Sequence, residues 1–172
     1  MDKIQKVKEL RAAGKVERCH TTPHFGSYTV GQHSFDVAML ILTLHPSPNF
    51  RLVRAALYHD CHERWIGDVP TPTKETDPAI RRSLKKLERQ CERALGIAAH
   101  LHAGLTKEEK RWLKAADRVE LWLWAIEQIN MGNQEAYTIK RDLERFFEDL
   151  PEELHNFVHN YMWEIRSDEF PK

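Results

Sequence analysis

Helical periodicity, cut at intervals by proline and glycine, runs through nearly the whole chain and leaves little room for strands. Apolar residues recur every three or four positions, whereas alternation of period two is almost absent. The punctuation divides this pattern into segments. A first helix covers 3–13 and stops at Gly14, and 15–28, with Pro23 and Gly26, reads as an ordered loop. A second helix covers about 31–44 and ends at Pro46-Ser47-Pro48. A third covers 50–65, because Gly67-Asp68-Val69-Pro70-Thr71-Pro72 forbids its continuation. Pro78 behind Asp77 opens a fourth helix that reaches Leu95 before Gly96. Thr106 with Glu109 forms a capping box for a long fifth helix ending near Gly132. A sixth covers 133–148, and Pro151 opens a seventh that frays near Ser167. The pattern predicts an all-α fold: one domain over 1–172, a bundle of six to seven helices with two long Pro-bearing loops.

The length, 172 residues, suits one domain with a real core. Lys plus Arg and Asp plus Glu are 26 each, so no overall field draws in a nucleic-acid polymer or an anionic membrane. The longest apolar stretches, such as 37–44, are far short of a membrane span. The first ten residues mix Lys with apolar residues and contain no h-region, so no signal peptide is expected. Cys19, Cys61 and Cys91 are odd in number and lack a CxxC spacing, which points to reduced thiols in the cytoplasm.

Three helices carry ionisable residues on faces that are otherwise apolar. On the third, Leu52, Ala55 and Ala56 form a stripe that continues into His59, Asp60 and Glu63. On the second, His33 shares a face with Val30, Val37, Leu40, Ile41 and Leu44. On the fifth, Asp117 lies with Leu113, Ala116, Leu121 and Trp124. Each case alone has a plain explanation: an exposed His59–Glu63 pair, a hydrogen-bonded core histidine, an Asp–Arg pair. Together they present two histidines and two aspartates to one core, where each unpaired carboxylate costs several kcal/mol. A divalent cation satisfies all four at once, through imidazole nitrogen and carboxylate oxygen.

His33, the pair His59-Asp60 and the distant Asp117 resemble the H…HD…D signature of the HD superfamily of metal phosphohydrolases. The longer strings Gln32-His33-Ser34, Val37-Ala38, Tyr58-His59-Asp60, Gly67-Asp68-Val69-Pro70-Thr71-Pro72 and Ala115-Ala116-Asp117 are similar to those of bacterial 5'-deoxynucleotidases. They are similar also to those of the small dATP triphosphohydrolases of bacteriophages. The likeness runs from about Arg18 to Gly132. It implies that His33, His59, Asp60 and Asp117 hold one divalent ion (Co, Mn, Zn, Fe or Mg), with Glu63 as the catalytic residue that orients or deprotonates water. It implies that Asp68 approaches the deoxyribose and that Arg18 pairs with phosphate, while Lys74 and Lys114 are further phosphate candidates or ordinary surface charges. Cys19 and His20 stand where the family commonly has a tryptophan after the arginine, so they fall among the substrate contacts and base preference does not carry over.

The expected reaction is attack at the α-phosphorus with cleavage of the 5' O–P bond. The compact length and the phage likeness favour a dATP triphosphohydrolase, with a 5'-deoxynucleotidase acting on monophosphates as the alternative. A helical nucleotide-binding module that has lost catalysis is a rival of another class, and a phosphodiesterase acting on cyclic or oligomeric nucleotides is a third. The likeness also implies a homo-oligomer, dimer or hexamer, in the cytoplasm of a bacterium or of a phage's host. The tryptophans 112, 122, 124 and 163 offer more aromatic surface than one small core needs. Arg81, Arg82, Lys85 and Lys86 are expected on a solvated helix face, and His62, His155 and His159 at the surface.

Overall fold

The computed structural model describes residues 1–168, with side chains through Glu164. Among these residues there are nine α-helices and no named strand: α1 (Lys3–Ala13), α2 (Val30–Leu44), α3 (Phe50–Tyr58), α4 (Glu63–Ile66), α5 (Thr71–Thr76), α6 (Pro78–Leu95), α7 (Lys107–Asn130), α8 (Ala136–Glu144) and α9 (Glu152–Asp168). A π turn at Ala99–Ala103 and a 3-10 turn at Phe147–Asp149 complete the order. The all-α expectation is met.

Local chemistry sets most of the boundaries. Thr106 and Glu109 form the predicted capping box of α7, and Thr29 and Gln32 form a second one at α2. Asp77 caps α6 with Pro78 in its first turn, and Gly96 ends it in the left-handed conformation at φ 68°. Two boundaries differ from expectation. The predicted third helix stops at Tyr58, passes through tight turns and resumes as α4. The amides of Cys61 and Glu63 bond three residues back, to Tyr58 and Asp60, and His59 Nδ1 bonds the Ala56 carbonyl at 2.7 Å. His59 and His62 keep right-handed helical dihedrals, so the side-chain spacing reads straight through the break. The 67–77 loop is also shorter than expected, because Pro70 and Pro72 end one segment and open α5, where a first-turn proline is tolerated.

α2 packs on both α3 and α7, and α7 also meets α8 and α9. Val37, Ile41, Leu52, Ala56, Ala116, Val119, Trp122 and Leu154 form the main core. Ala56, Ala115 and Ala116, all buried in this core, let α3 and α7 lie close to α2, while Ala55 packs with Ala13, Leu95 and Ile97 in a second cluster. Burial of this kind stabilises at roughly 25 cal/mol per Å² of apolar surface. Trp112, Trp122 and Trp124 are all buried, so only Trp163, at 70% exposed, remains of the expected aromatic surface. The core is larger than the pattern suggested and absorbs the other three.

The loop at 15–29 is held firmly. A Cβ on Gly31 would meet the Gly14 carbonyl oxygen at 2.8 Å, so glycine is required where the end of α1 touches the start of α2. The amides of Val30 and Arg18 then bond the carbonyls of Val16 and Tyr28, at 2.9 and 2.7 Å. This short ladder fixes Arg18, whose side chain turns inward.

Candidate active site

The three helix faces singled out in the sequence converge. His33 comes from the first turns of α2, His59 and Asp60 from the turn after α3, and Asp117 from α7. One donor atom from each lies within 4.8 Å of the others. The Nε2 atoms of His33 and His59 are 3.1 Å apart. Asp117 Oδ1 is 3.0 Å from the first and 3.7 Å from the second, and Asp60 Oδ2 is 3.5 and 3.4 Å from them. His33 is fully buried.

This arrangement fits a cation. Two neutral imidazoles facing nitrogen to nitrogen can share one proton at most, whereas a dication takes both lone pairs and both carboxylates. The charge pattern agrees. Burial alone would raise the Asp117 carboxyl, but hydrogen bonds from His33 and His59 hold it well below the usual carboxylate range. Burial alone would lower His33, but hydrogen bonds to Asp117 and Glu120 push it up to about 9. The cluster therefore attracts positive charge, and two imidazoles with two carboxylates suit Mn, Fe, Co or Zn.

A second layer orients His33. Glu120, buried and three residues beyond Asp117 on α7, accepts a hydrogen bond from His33 Nδ1. The Tyr28 hydroxyl donates to the same carboxylate at 2.5 Å, and the Tyr28 ring stacks on Trp124 at 4.6 Å. With Nδ1 donating, Nε2 is left as the ligand atom. Sequence reasoning missed Glu120 and Tyr28. The signal for Glu120 was present, since its spacing from Asp117 puts both on one face of α7.

Glu63 opens α4 beside this centre and is only 4% exposed. Burial, with the neighbouring Asp60 charge, pushes its carboxyl up to about 9. Its Oε2 has no hydrogen-bond partner among the described residues. Arg18 is buried and pairs closely with Asp60, and its Nη1 is 3.8 Å from Glu63 Oε1. Asp68 Oδ2 accepts the Cys19 amide at 2.8 Å, in a turn where Cys19 takes φ 52°. A non-glycine residue rarely adopts that conformation, and this hydrogen bond offsets part of its cost. Burial pushes the Cys19 thiol up to about 12, so it stays neutral.

The remaining candidates divide. Lys74 on α5 is half-buried, and its charge acts on Glu63. Lys114 and His20 are exposed and make no hydrogen bond or ion pair among the described residues. Arg81, Arg82, Lys85 and Lys86 are exposed as expected, as are His155 and His159. His62 is not: it is 8% exposed, with Nδ1 on the His59 carbonyl at 3.0 Å. It stands seven residues beyond Ala55 and so continues the buried face of α3 through the turn after Tyr58.

A helical fold with this His/Asp centre, a buried glutamate beside it and an arginine against it defines an HD-domain metal phosphohydrolase. The family described as 5'-deoxynucleotidase YfbR-like matches residues 7–165, and the chain belongs to it. A 5'-deoxynucleotidase of Vibrio atlanticus is 30% identical over 142 residues, covering 71% of this chain and 73% of that one. One of Photorhabdus temperata is 31% identical over 136 residues, covering 67% and 69%. Among solved structures, an HD-domain phosphohydrolase from Listeria innocua has a TM-score of 0.78 at 22% identity, over 98% of this chain and 89% of that one. The cyanophage S-2L HD phosphohydrolase DatZ, bound to dA and one catalytic Zn2+ ion, has a TM-score of 0.70 at 20% identity, over 95% and 96%. These two likenesses show the shared fold.

Proposed function

We propose that this chain is a 5'-deoxynucleotidase, hydrolysing deoxynucleoside 5'-monophosphates to deoxynucleoside and phosphate. The observation that carries this reading is the convergence of His33, His59, Asp60 and Asp117 within 4.8 Å, with the buried Glu63 beside them. The 5'-deoxynucleotidase relatives support the substrate class. The triphosphate reading favoured by the sequence becomes the second one; DatZ supports it through fold alone.

His33, His59, Asp60 and Asp117 would hold the ion, which when bound acidifies water from a pKa near 16 to about 7 and draws charge from the phosphoryl oxygens. Glu63 takes the water's proton. At a carboxyl raised to about 9 it is protonated at neutral pH, so it becomes an acceptor only when positive charge is added beside it. Arg18 turns from Asp60 to the phosphate and neutralises charge that builds on it in the transition state. Asp68, anchored by the Cys19 amide next to Arg18, stands where the sugar enters and accepts from the deoxyribose 3'-hydroxyl. Preference for the deoxy sugar follows if the Cys19 turn leaves no room for a 2'-hydroxyl.

The proposal takes residues 1–172 as one catalytic domain that self-associates. It also implies a cytoplasmic setting, where thiols such as Cys19, Cys61 and Cys91, all unpaired, stay reduced. The described helices include none long and apolar enough to cross a membrane. Product analysis tests the reaction. Incubation with dAMP and Mn or Co should release phosphate, faster than with AMP. Release of intact triphosphate from dATP, with dAMP untouched, would replace this reading by the second one. No turnover of either would favour the binding module.

A further inference from the structure

Hydrolysis as described uses the start of the 15–29 loop and leaves unexplained two amide side chains buried behind its tip. Gln128 and Asn133 are 2% and 8% exposed. Gln128 lies on the face of α7 that carries Asp117, Glu120 and Trp124, at successive spacings of three, four and four. Its side chain accepts the Phe25 amide at 2.8 Å and donates to the Phe25 carbonyl at 3.0 Å, as a paired strand does. Asn133 donates to the Pro23 carbonyl at 2.8 Å and to Gln128 Oε1 at 3.2 Å. The end of α7 explains its place. Gly132 takes φ 97°, and the amides of Gly132 and Asn133 bond back to the carbonyls of Ile129 and Gln128, at 2.8 and 2.9 Å. This Schellman arrangement folds Asn133 over Gln128. Buried amides are costly unless matched, and the backbone of the loop supplies the match.

From this clamp the chain runs back to Cys19 through one turn, closed by the Thr22 amide on the Cys19 carbonyl at 2.9 Å. His24 adds to the hold, edge-on to Trp124 at 5.6 Å and with Nδ1 donating to the Thr22 carbonyl at 2.9 Å. Cys19 at φ 52° keeps a conformation that persists only while its surroundings enforce it, and its amide anchors Asp68. Arg18 is held separately, by the Tyr28 carbonyl and by Asp60. We infer that Gln128 and Asn133 are positioning residues for sugar selection: by clamping Phe25 and Pro23 they keep the Cys19 turn and Asp68 in the shape that excludes a 2'-hydroxyl. This rests on the reading of the chain as a 5'-deoxynucleotidase with Asp68 at the sugar. Neither amide touches the substrate. Loosening the clamp widens the sugar site and leaves the metal ligands, Glu63 and Arg18 in place, so it acts on sugar preference and KM and spares kcat.

Kinetics with dAMP and AMP on the Mn-loaded full chain test this, together with amide hydrogen exchange across residues 19–25. Gln128→Ala removes both bonds to Phe25 and should lower the dAMP-over-AMP ratio of kcat/KM about tenfold, through KM, with kcat for dAMP within about twofold of wild type. Exchange at the Cys19 and Phe25 amides should quicken. Asn133→Ala should shift the ratio the same way by a smaller factor. Val158→Ala, a cavity in the main core, should leave the ratio unchanged even where it lowers the melting temperature. A folded Gln128→Ala chain with the wild-type ratio, or with unchanged exchange, overturns the clamp and leaves the deoxynucleotidase reading standing. A fall in kcat with KM unchanged also overturns it. A wild type that consumes dAMP and AMP equally removes the sugar role of Asp68 and the clamp with it, and one that consumes neither overturns the reading as a whole. If Gln128→Ala fails to fold, Asn133→Ala decides by the same readouts.

Discussion

Glu120 lies one helical turn beyond Asp117 on α7 and accepts the Nδ1 hydrogen of His33, so one helix supplies both a donor to the centre and the group that aims its neighbour. The Tyr28 hydroxyl bonds the same carboxylate, which leaves Glu120 little freedom to turn away. Removing such a partner typically weakens metal affinity by about 10–100-fold. Glu120→Ala should show a loss of that size in calorimetric titration with Mn or Co. Wild-type affinity in the variant would mean that His33 needs no orienting carboxylate.

Asp117 is the aspartate whose oxygen comes nearest to His33 Nε2, at 3.0 Å, and it reaches His59 Nε2 at 3.7 Å. Asp117→Ala should abolish hydrolysis and loosen the ion, read as metal retained after dialysis. Unchanged turnover would remove Asp117 from the site.

Glu63 stands outside the cluster of four donors, yet it is buried beside Asp60. Glu63→Gln keeps the shape and removes the proton acceptor. Hydrolysis should slow by roughly 10²–10⁴-fold, while the ion held by His33 and Asp117 remains. Full activity would transfer the base to another group.

The cluster gathers two carboxylates and two imidazoles from three parts of the chain, so an ion there ties α2, α3 and α7 together. Chelation should lower the melting temperature, and Mn or Co should restore it. At an ion concentration about 100 times Kd the gain is about 2.7 kcal/mol. A melting curve indifferent to chelator would speak against any ion bound only by the folded chain.

Trp122 is fully buried between α7 and α9, edge-on to Phe147 and Tyr161 at 5.3 and 5.7 Å. Trp122→Ala should cost about 3–5 kcal/mol in a denaturant titration. A loss below about 1 kcal/mol would show that the core closes over the gap.

Much of the site is legible in residue spacing. His33, His59, Asp60 and Asp117 stand out because ionisable groups break apolar stripes, and the structure brings these four together. Glu63 is legible for the same reason. His62 is legible on the same ground, since it lies seven residues beyond Ala55 on the buried face, but without a matching carboxylate motif it reads as a surface residue. Glu120 escapes notice because an acidic residue on a long helix is usually solvated; its burial follows from Tyr28 and His33 arriving from elsewhere. Lys114 draws attention through its nearness in sequence to Asp117, yet it is exposed.

The sequence by itself determined the helices and where most of them stop, because caps, proline and glycine act within one turn of chain. It also singled out the four ionisable groups that the structure brings within 4.8 Å of one another, since burying a charge is costly wherever its partner comes from. Only the tertiary structure decided which carboxylate aims His33, and that Arg18 lies against Asp60. Those outcomes depend on distances between segments far apart in the chain, and no local rule contains such distances.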